Sequence, residues 1–291
     1  MAEIFQERAS RSILQIYDTL LNQSRILKTF DHVVEAPFYS ADGSALYYNA
    51  MGQIFRLDMG KGTTEKISTG EAISCNNDHV LSPDGRMLAV SSGRRGDDRS
   101  RIYTVDLTSG ESRLITPEPH SYLHGWSPDG RTLSFCGARW QDGALAWDVY
   151  TVDAEGGGER RLTDAPGLND GPEFSPDGKT IWFNSVRTGR MQVWKMNADG
   201  TGQVQMTFDT GWNAWFPHIS PDGHRVVYLA YRAGDLEPGE HLPDKHVQLR
   251  MMDAAGGEPW TVLELFGGQG TINVNSWSPD SRYFAYVSYQ K

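Results

Sequence analysis

The sequence predicts an all-β chain, a six-bladed β-propeller with four antiparallel strands per blade. Three observations lead there. A four-residue turn phrase recurs six times, alternating apolar runs flank each copy, and the last blade is completed from the opposite end of the chain.

The phrase is Ser40-Ala41-Asp42-Gly43, then Ser82-Pro83-Asp84-Gly85, Ser127-Pro128-Asp129-Gly130, Ser175-Pro176-Asp177-Gly178, Ser220-Pro221-Asp222-Gly223 and Ser278-Pro279-Asp280-Ser281. Its aspartates stand 42, 45, 48, 45 and 58 residues apart, and a large apolar residue precedes each copy: Tyr39, Leu81, Trp126, Phe174, Ile219 and Trp277. Pro presets φ, Asp accepts hydrogen bonds from nearby backbone N–H groups, and Gly takes the left-handed conformation, so each copy reads as a hairpin turn. Runs such as Thr180-Ile181-Trp182-Phe183-Asn184 and Arg225-Val226-Val227-Tyr228-Leu229 follow as strands. Further strands close on Asp or Asn, as in Asp148-Val149-Tyr150-Thr151-Val152-Asp153, and a last short strand ends near phrases like Arg161-Leu162-Thr163. The motif aspartates are therefore structural.

The sixth repeat stops at Lys291, after its second strand. Ser12 to Lys28 aligns without gaps onto Ser100 to Thr116, with Ser12, Asp18, Ser24 and Arg25 falling on Ser100, Asp106, Ser112 and Arg113. Residues 12–29 are expected to supply the outer strands of the last blade and so remove the open sheet edges. The competing reading is an amphipathic helix over residues 3–22. One domain is expected over 1–291, with blades near 32–69, 76–117, 121–164, 169–208, 213–265, and 271–289 joined by 12–29.

Composition bounds the partners. The chain has 291 residues and a net charge of −10, which repels phosphate backbones and excludes nucleic acid. No apolar run approaches the ~20 residues of a membrane span. Glu3 and Glu7 interrupt the start of the chain, unlike a secretory signal; with Met1 as the natural start, the expected compartment is the cytoplasm. Cys75 and Cys136 match no zinc or redox spacing and read as buried, reduced thiols. Arg95-Gly96-Asp97, Asn22-Gln23-Ser24 and Gly156-Gly157-Gly158 read as loop and turn residues, without adhesive, glycosylation or phosphate-binding roles.

The Ser-Pro-Asp-Gly turns, with Asn184-Ser185-Val186-Arg187-Thr188-Gly189 and Val193-Trp194-Lys195-Met196-Asn197-Ala198-Asp199-Gly200, resemble the TolB-type propeller. Related repeats form the propeller of the dipeptidyl-peptidase and prolyl-oligopeptidase families. The resemblance covers nearly the whole chain and implies the fold. TolB proper is periplasmic with a preceding α/β domain, and the peptidases carry their nucleophile on a separate hydrolase domain, so neither activity is carried over; no Gly-x-Ser-x-Gly elbow occurs here. Asn76-Asn77-Asp78-His79, Leu168-Asn169-Asp170-Gly171, Trp215-Phe216-Pro217-His218 and Gly267-Gly268-Gln269-Gly270-Thr271-Ile272-Asn273 look closer to stand-alone TolB-like propellers.

Uniform turns read as scaffold and variable loops as a binding face, with residues 137–147 and 230–246 the longest loops. Polar residues cluster before the innermost strands: Glu35; Asn76, Asn77, Asp78 and His79; His120, Tyr122 and His124; Asn169, Asp170 and Glu173; Asn213, Trp215 and His218; Gln269, Thr271, Asn273 and Asn275. Sixfold closure would gather them around one axial pocket suited to a small polar ligand such as a glycan, or to a protein or peptide partner. Asp and Asn at such positions also simply cap turns. No cofactor is expected; a divalent metal on His79, His124 and His218 is the alternative, although His241 and His246 form no close ligand pair. The function expected is non-enzymatic binding or scaffolding. The alternative is a carbohydrate lyase or hydrolase using His79, His124, His218, Asp170 and Glu173. Asp170 and Glu173, three apart on a strand, should point to opposite sides. The loop of residues 231–246 reads as a lid or, slightly favoured by its charge, as a solvated insertion.

Overall fold

A computed structural model describes residues 10–291, and every regular element among them is a strand. Five sheets are contiguous in sequence. They run Glu35–Tyr39 to Thr64–Lys66, Ser74–Leu81 to Ser112–Leu114, Ser121–Trp126 to Arg160–Arg161, Asn169–Phe174 to Val204–Gln205, and Trp212–Ile219 to Trp260–Gly268. Each has four antiparallel strands in chain order, here called inner, second, third and outer. Among the described residues no helix is long and apolar enough to cross a membrane.

The sixth blade is composite. Arg11–Asp18 pairs with Tyr283–Gln290 on one side and with Gln23–Phe30 on the other. This replaces the helical reading over the described part of residues 3–22; residues 3–9, with Glu3 and Glu7, lie outside the described residues. The inner position of this blade is irregular. Residues 271–277 are held by Val287 N–H donating to Thr271 O (3.1 Å) and Ala285 N–H donating to Ser276 O (2.9 Å). Ring closure is polar as well as apolar. Ala36 N–H donates to Gly270 O at 2.7 Å, Val34 N–H to Ser12 Oγ at 3.0 Å, and Arg282 pairs with Asp18 at 2.7 Å.

Blades pack face to face, so inner and second strands are covered on both sides. That explains why second strands such as Ala45–Ala50 are buried at every residue instead of alternating, whereas the outer strand Thr64–Lys66 is exposed throughout. Phe38, Tyr47, Val90, Leu123, Phe135 and Tyr150 form one continuous core across three blades.

The turn phrase behaves identically six times. Ser40, Ser82, Ser127, Ser175, Ser220 and Ser278 each donate Oγ–H to the Asp two residues on, at 2.5–2.7 Å. In the last copy Ser281 takes the place of Gly at φ 60°. The Ser hydroxyl, joined by nearby backbone N–H groups, holds the Asp42 carboxyl down at about 2.

One expected loop is a ladder. Residues 137–147 continue the hairpin of Thr132–Gln141 and Ala144–Asp153 to a two-residue turn, Asp142-Gly143, with φ 48° and 86°. Both turn residues take positive φ, which suits the twist of the flanking strands.

Candidate functional site

The inner strands are not regular. Their pairing with the second strand breaks between Glu35 and Phe38, Cys75 and His79, Leu123 and Gly125, Asp170 and Glu173, and Trp215 and His218. Three of these bulges place a positive-φ residue before proline: Ala36-Pro37 (52°), Gly171-Pro172 (63°) and Phe216-Pro217 (54°). Proline lacks the ladder's N–H and sits in strands where the ladder is already broken. A bulge re-aims the side chains beside it.

Four of the five bulges are tied to the second strand of the preceding blade. Asn49 Nδ2 donates to Cys75 O (2.8 Å) and Asn76 O (2.9 Å). Ser91 Oγ accepts from Leu123 N–H, Ser134 Oγ donates to Pro172 O, and Asn184 Oδ1 accepts from Phe216 N–H. The bulges are thus built parts of the ring. Phe216, a bulky residue held at positive φ, is strained by about 1–3 kcal/mol, and Asn184 helps to hold it there.

Residues at these four bulges, those of the second to fifth blades, border an axial cavity of about 540 Å³. Of the residues singled out from sequence, Asn76, Asn77, Asp78, Tyr122, His124, Asp170, Gln269 and Asn273 line it. The others lie elsewhere. His79 is fully buried, its ring 5.3 Å from that of Phe38. Burial pushes its pKa down to about 4. Asn169 is consumed by Asp148, Ala165 O, Ser185 and Arg187. Asn213 accepts from Met191 N–H, Trp215 is buried beneath the His241 ring, and Thr271 is fully buried. Glu35 lies beside Gly270.

Glu173 and His218 form a sealed cluster. His218 Nδ1 meets Glu173 Oε2 at 2.7 Å, and its Nε2–H donates to Ile272 O at 3.1 Å. Glu173 Oε1 accepts from Ile219 N–H (3.0 Å) and Asn275 Nδ2 (2.6 Å). His79, His124 and His218 therefore have separate surroundings. Among the described residues no group of three or more His, Cys, Asp or Glu side chains is placed to hold a metal ion.

Asp170 and Glu173 diverge as expected, although the cause is the intervening Gly171-Pro172 bulge rather than simple alternation. On the cavity side, His124 Nε2 lies 3.0 Å from Asp170 Oδ1, which also accepts from Gly171 N–H at 2.7 Å. The His124 ring stacks on Phe216 at 5.6 Å. Burial raises the Asp170 carboxyl, but the His124 charge and hydrogen bond, with His241 and Gly171 N–H, outweigh it and bring it to about 2. Burial opposes protonation of His124, yet Asp170 overcomes it and raises the imidazole pKa. Asp78 differs: burial, then Asp170, pushes it up to about 6 against the pull of His124, Asn76 and Ser91.

Sequence reasoning missed Cys136, Trp147, Leu168, Phe216, Gly239 and His241. The X-Pro steps inside inner strands were the available signal for Phe216. Nothing local marked His241. It lies in the 231–246 loop, which is packed on the ring rather than solvated throughout. Its ring centroid is 4.4 Å from Trp215 and 5.2 Å from Phe216, and Leu242 O accepts from Tyr231 OH and Gln269 N–H. His241 Nδ1 is buried with no hydrogen-bond partner. Cys75 and Cys136 are free, buried thiols, and burial raises both pKa values.

A profile of the TolB beta propeller domain matches residues 120–239. An uncharacterized protein of Agrobacterium fabrum is 43% identical over 280 residues, covering 96% of this chain and 92% of that one. The chain belongs to the TolB-like propeller family. A solved TolB-like structure from Agrobacterium tumefaciens has 42% identity and a TM-score of 0.90, covering 97% of this propeller and 99% of that chain. The Tol-Pal system protein TolB of Francisella tularensis is 25% identical over 92% of this chain, which spans 59% of that protein. An oligogalacturonate lyase in complex with manganese shares the fold, with a TM-score of 0.58 at 14% identity over 98% of each chain.

Proposed function

We propose that this TolB-like propeller is a non-enzymatic binding module whose axial cavity receives a segment of a partner protein or a small polar molecule. One observation carries the reading. A cavity large enough for a compact ligand sets the buried His124–Asp170 pair and the unpartnered His241 Nδ1 beside the half-buried aromatic rings of Tyr122 and Trp147. Few convergent polar groups among aromatic walls are what a ligand pocket needs. The likeness of the fold to a manganese-bound lyase supports no catalytic reading here. Of the five residues that reading needs, only His124 and Asp170 line the cavity, whereas Glu173 and His218 are spent on each other.

Ligand-observed NMR with a library of polar fragments and short peptides tests this. Hits are expected for the native chain and are lost when Tyr122→Ala and Trp147→Ala are combined, with the unfolding temperature kept. Hits indifferent to that double variant would place binding outside the cavity and overturn the reading.

A further inference from the structure

Charge distinguishes this cavity from a generic polar pocket. Asp78 and Asp170 both line it, and among the described residues no lysine or arginine does. His124 is its one strong source of positive charge, and His124 is committed to Asp170 at 3.0 Å. Asp78 is only 6% exposed, and the neighbours that hydrogen-bond to it, Asn76 and Ser91, are neutral. A buried carboxylate whose nearest positive charge is paired with another carboxylate is costly, and a structural one is normally given a fixed cation of its own. The Arg161–Asp148 pair in the third blade (2.7 Å) shows that this fold supplies one elsewhere.

The walls agree with the charge. Tyr122 and Trp147 stand side by side with ring centroids 5.9 Å apart, and both are half-buried. Phe216 adds a third ring. Aromatic faces attract cations and cover aliphatic stems. Asn76, Asn77, Gln269 and Asn273 line the same space with neutral amides.

We propose that the cavity selects a ligand carrying an alkylammonium or guanidinium group, its charge on the Asp78 carboxylate and its carbon stem against Tyr122 and Trp147. The proposal rests on the binding reading of the same cavity. It also sets a pH response. The ligand binds the ionised Asp78, so protonation competes with it. Affinity approaches its full value as pH rises past 6 toward about 8 and falls as pH drops through about 6. Five other titratable groups line the cavity. They are His124 and Tyr122 on the third blade's inner strand, Cys136 on its second strand, Asp170 on the fourth blade's inner strand, and His241 on the 231–246 loop. Of these, His241, whose pKa burial lowers, gains a proton within the same range and steepens the fall, whereas Asp170 keeps His124 protonated across it.

Calorimetric titration with butylammonium and butylguanidinium, against butanol and butyrate, tests the charge. The tripeptides Gly-Lys-Gly and Gly-Arg-Gly distinguish a peptide source from a free amine. Cations are expected to bind at least tenfold more tightly than butanol or butyrate. Asp78→Asn should weaken them by about tenfold to a hundredfold, the loss expected for a hydrogen bond to a charged group. Asp78→Asn should meanwhile raise the unfolding temperature at pH 7.5, which excludes misfolding as the cause. Ser220→Ala, in a scaffold turn, should leave binding unchanged. Equal binding of butanol would end charge selection while leaving the cavity a binding site. No binding of any probe at millimolar concentration would overturn the proposal, with the fragment screen still deciding the broader reading. Displacement of butylammonium by micromolar calcium chloride would assign the site to an inorganic cation, and would overturn it too.

Discussion

His124–Asp170 and His218–Glu173 use the same two functional groups, at 3.0 and 2.7 Å, and each joins neighbouring inner strands. Asp170 and Glu173 even share one strand, on either side of the Gly171-Pro172 bulge. Their surroundings differ. Around Glu173 and His218, both ring nitrogens and both carboxylate oxygens have partners within the fold. Around Asp170 and His124 the groups border a cavity that also holds Asp78 and the unpartnered His241 Nδ1. Saturation of hydrogen-bonding capacity, rather than residue type, separates a ring fastener from a site.

The largest effect should come from the sealed pair. Glu173→Ala leaves a buried imidazole, the Ile219 N–H and the Asn275 amide without their carboxylate, and should cost about 3–5 kcal/mol in urea unfolding. A loss below about 1 kcal/mol would dissolve the contrast between the two pairs.

Asp78→Asn should act in the opposite direction. Asp78 is a carboxyl whose folded pKa, about 6, stands above its unfolded value of 3.8. The folded state therefore holds the proton more tightly. Its ionisation penalty is absent below about pH 4, grows as pH rises toward 6 and is complete above 6. The variant should be more stable than the native chain by about 1–3 kcal/mol at pH 7.5 and nearly equal to it at pH 4. Equal differences at both pH values would show that Asp78 carries no such penalty.

The smallest effect belongs to the scaffold face. Ser220→Ala removes the donor to Asp222 and the acceptor of Arg225 N–H, and should cost about 1 kcal/mol by thermal unfolding. Ser82→Ala and Ser175→Ala should match it, since their turns repeat the same bonds. Unequal losses would mean that the six turns are not equivalent.

The blades are more legible in the sequence than the site is. The turn phrases carry their own geometry, because Ser, Asp and Gly act within five residues of one another. The match of Ser12–Lys28 to Ser100–Thr116 was enough to place the closing strands. The site was legible only where a polar residue stands beside an inner-strand bulge, as Asp78, His124 and Asp170 do. Glu173, His218 and Asn169 share that composition and neighbourhood, but their partners come from other blades: Asn275, Ile272 and Asp148. Spacing along the chain carries no information about such partners.

His241 marks the same boundary. Its sequence neighbours, charged and rich in Gly and Pro, suggest solvent, yet its ring lies against Trp215 and Phe216 from a different strand of its own blade. The sequence alone determined the repeat, the turns, the composite sixth blade and the acidic, alternating character of the chain, because each depends on interactions that are local or periodic. Only the tertiary structure decided which of several His–carboxylate pairs is sealed and which borders a cavity. That depends on how many hydrogen-bond partners neighbouring blades deliver, and those partners are set by ring closure.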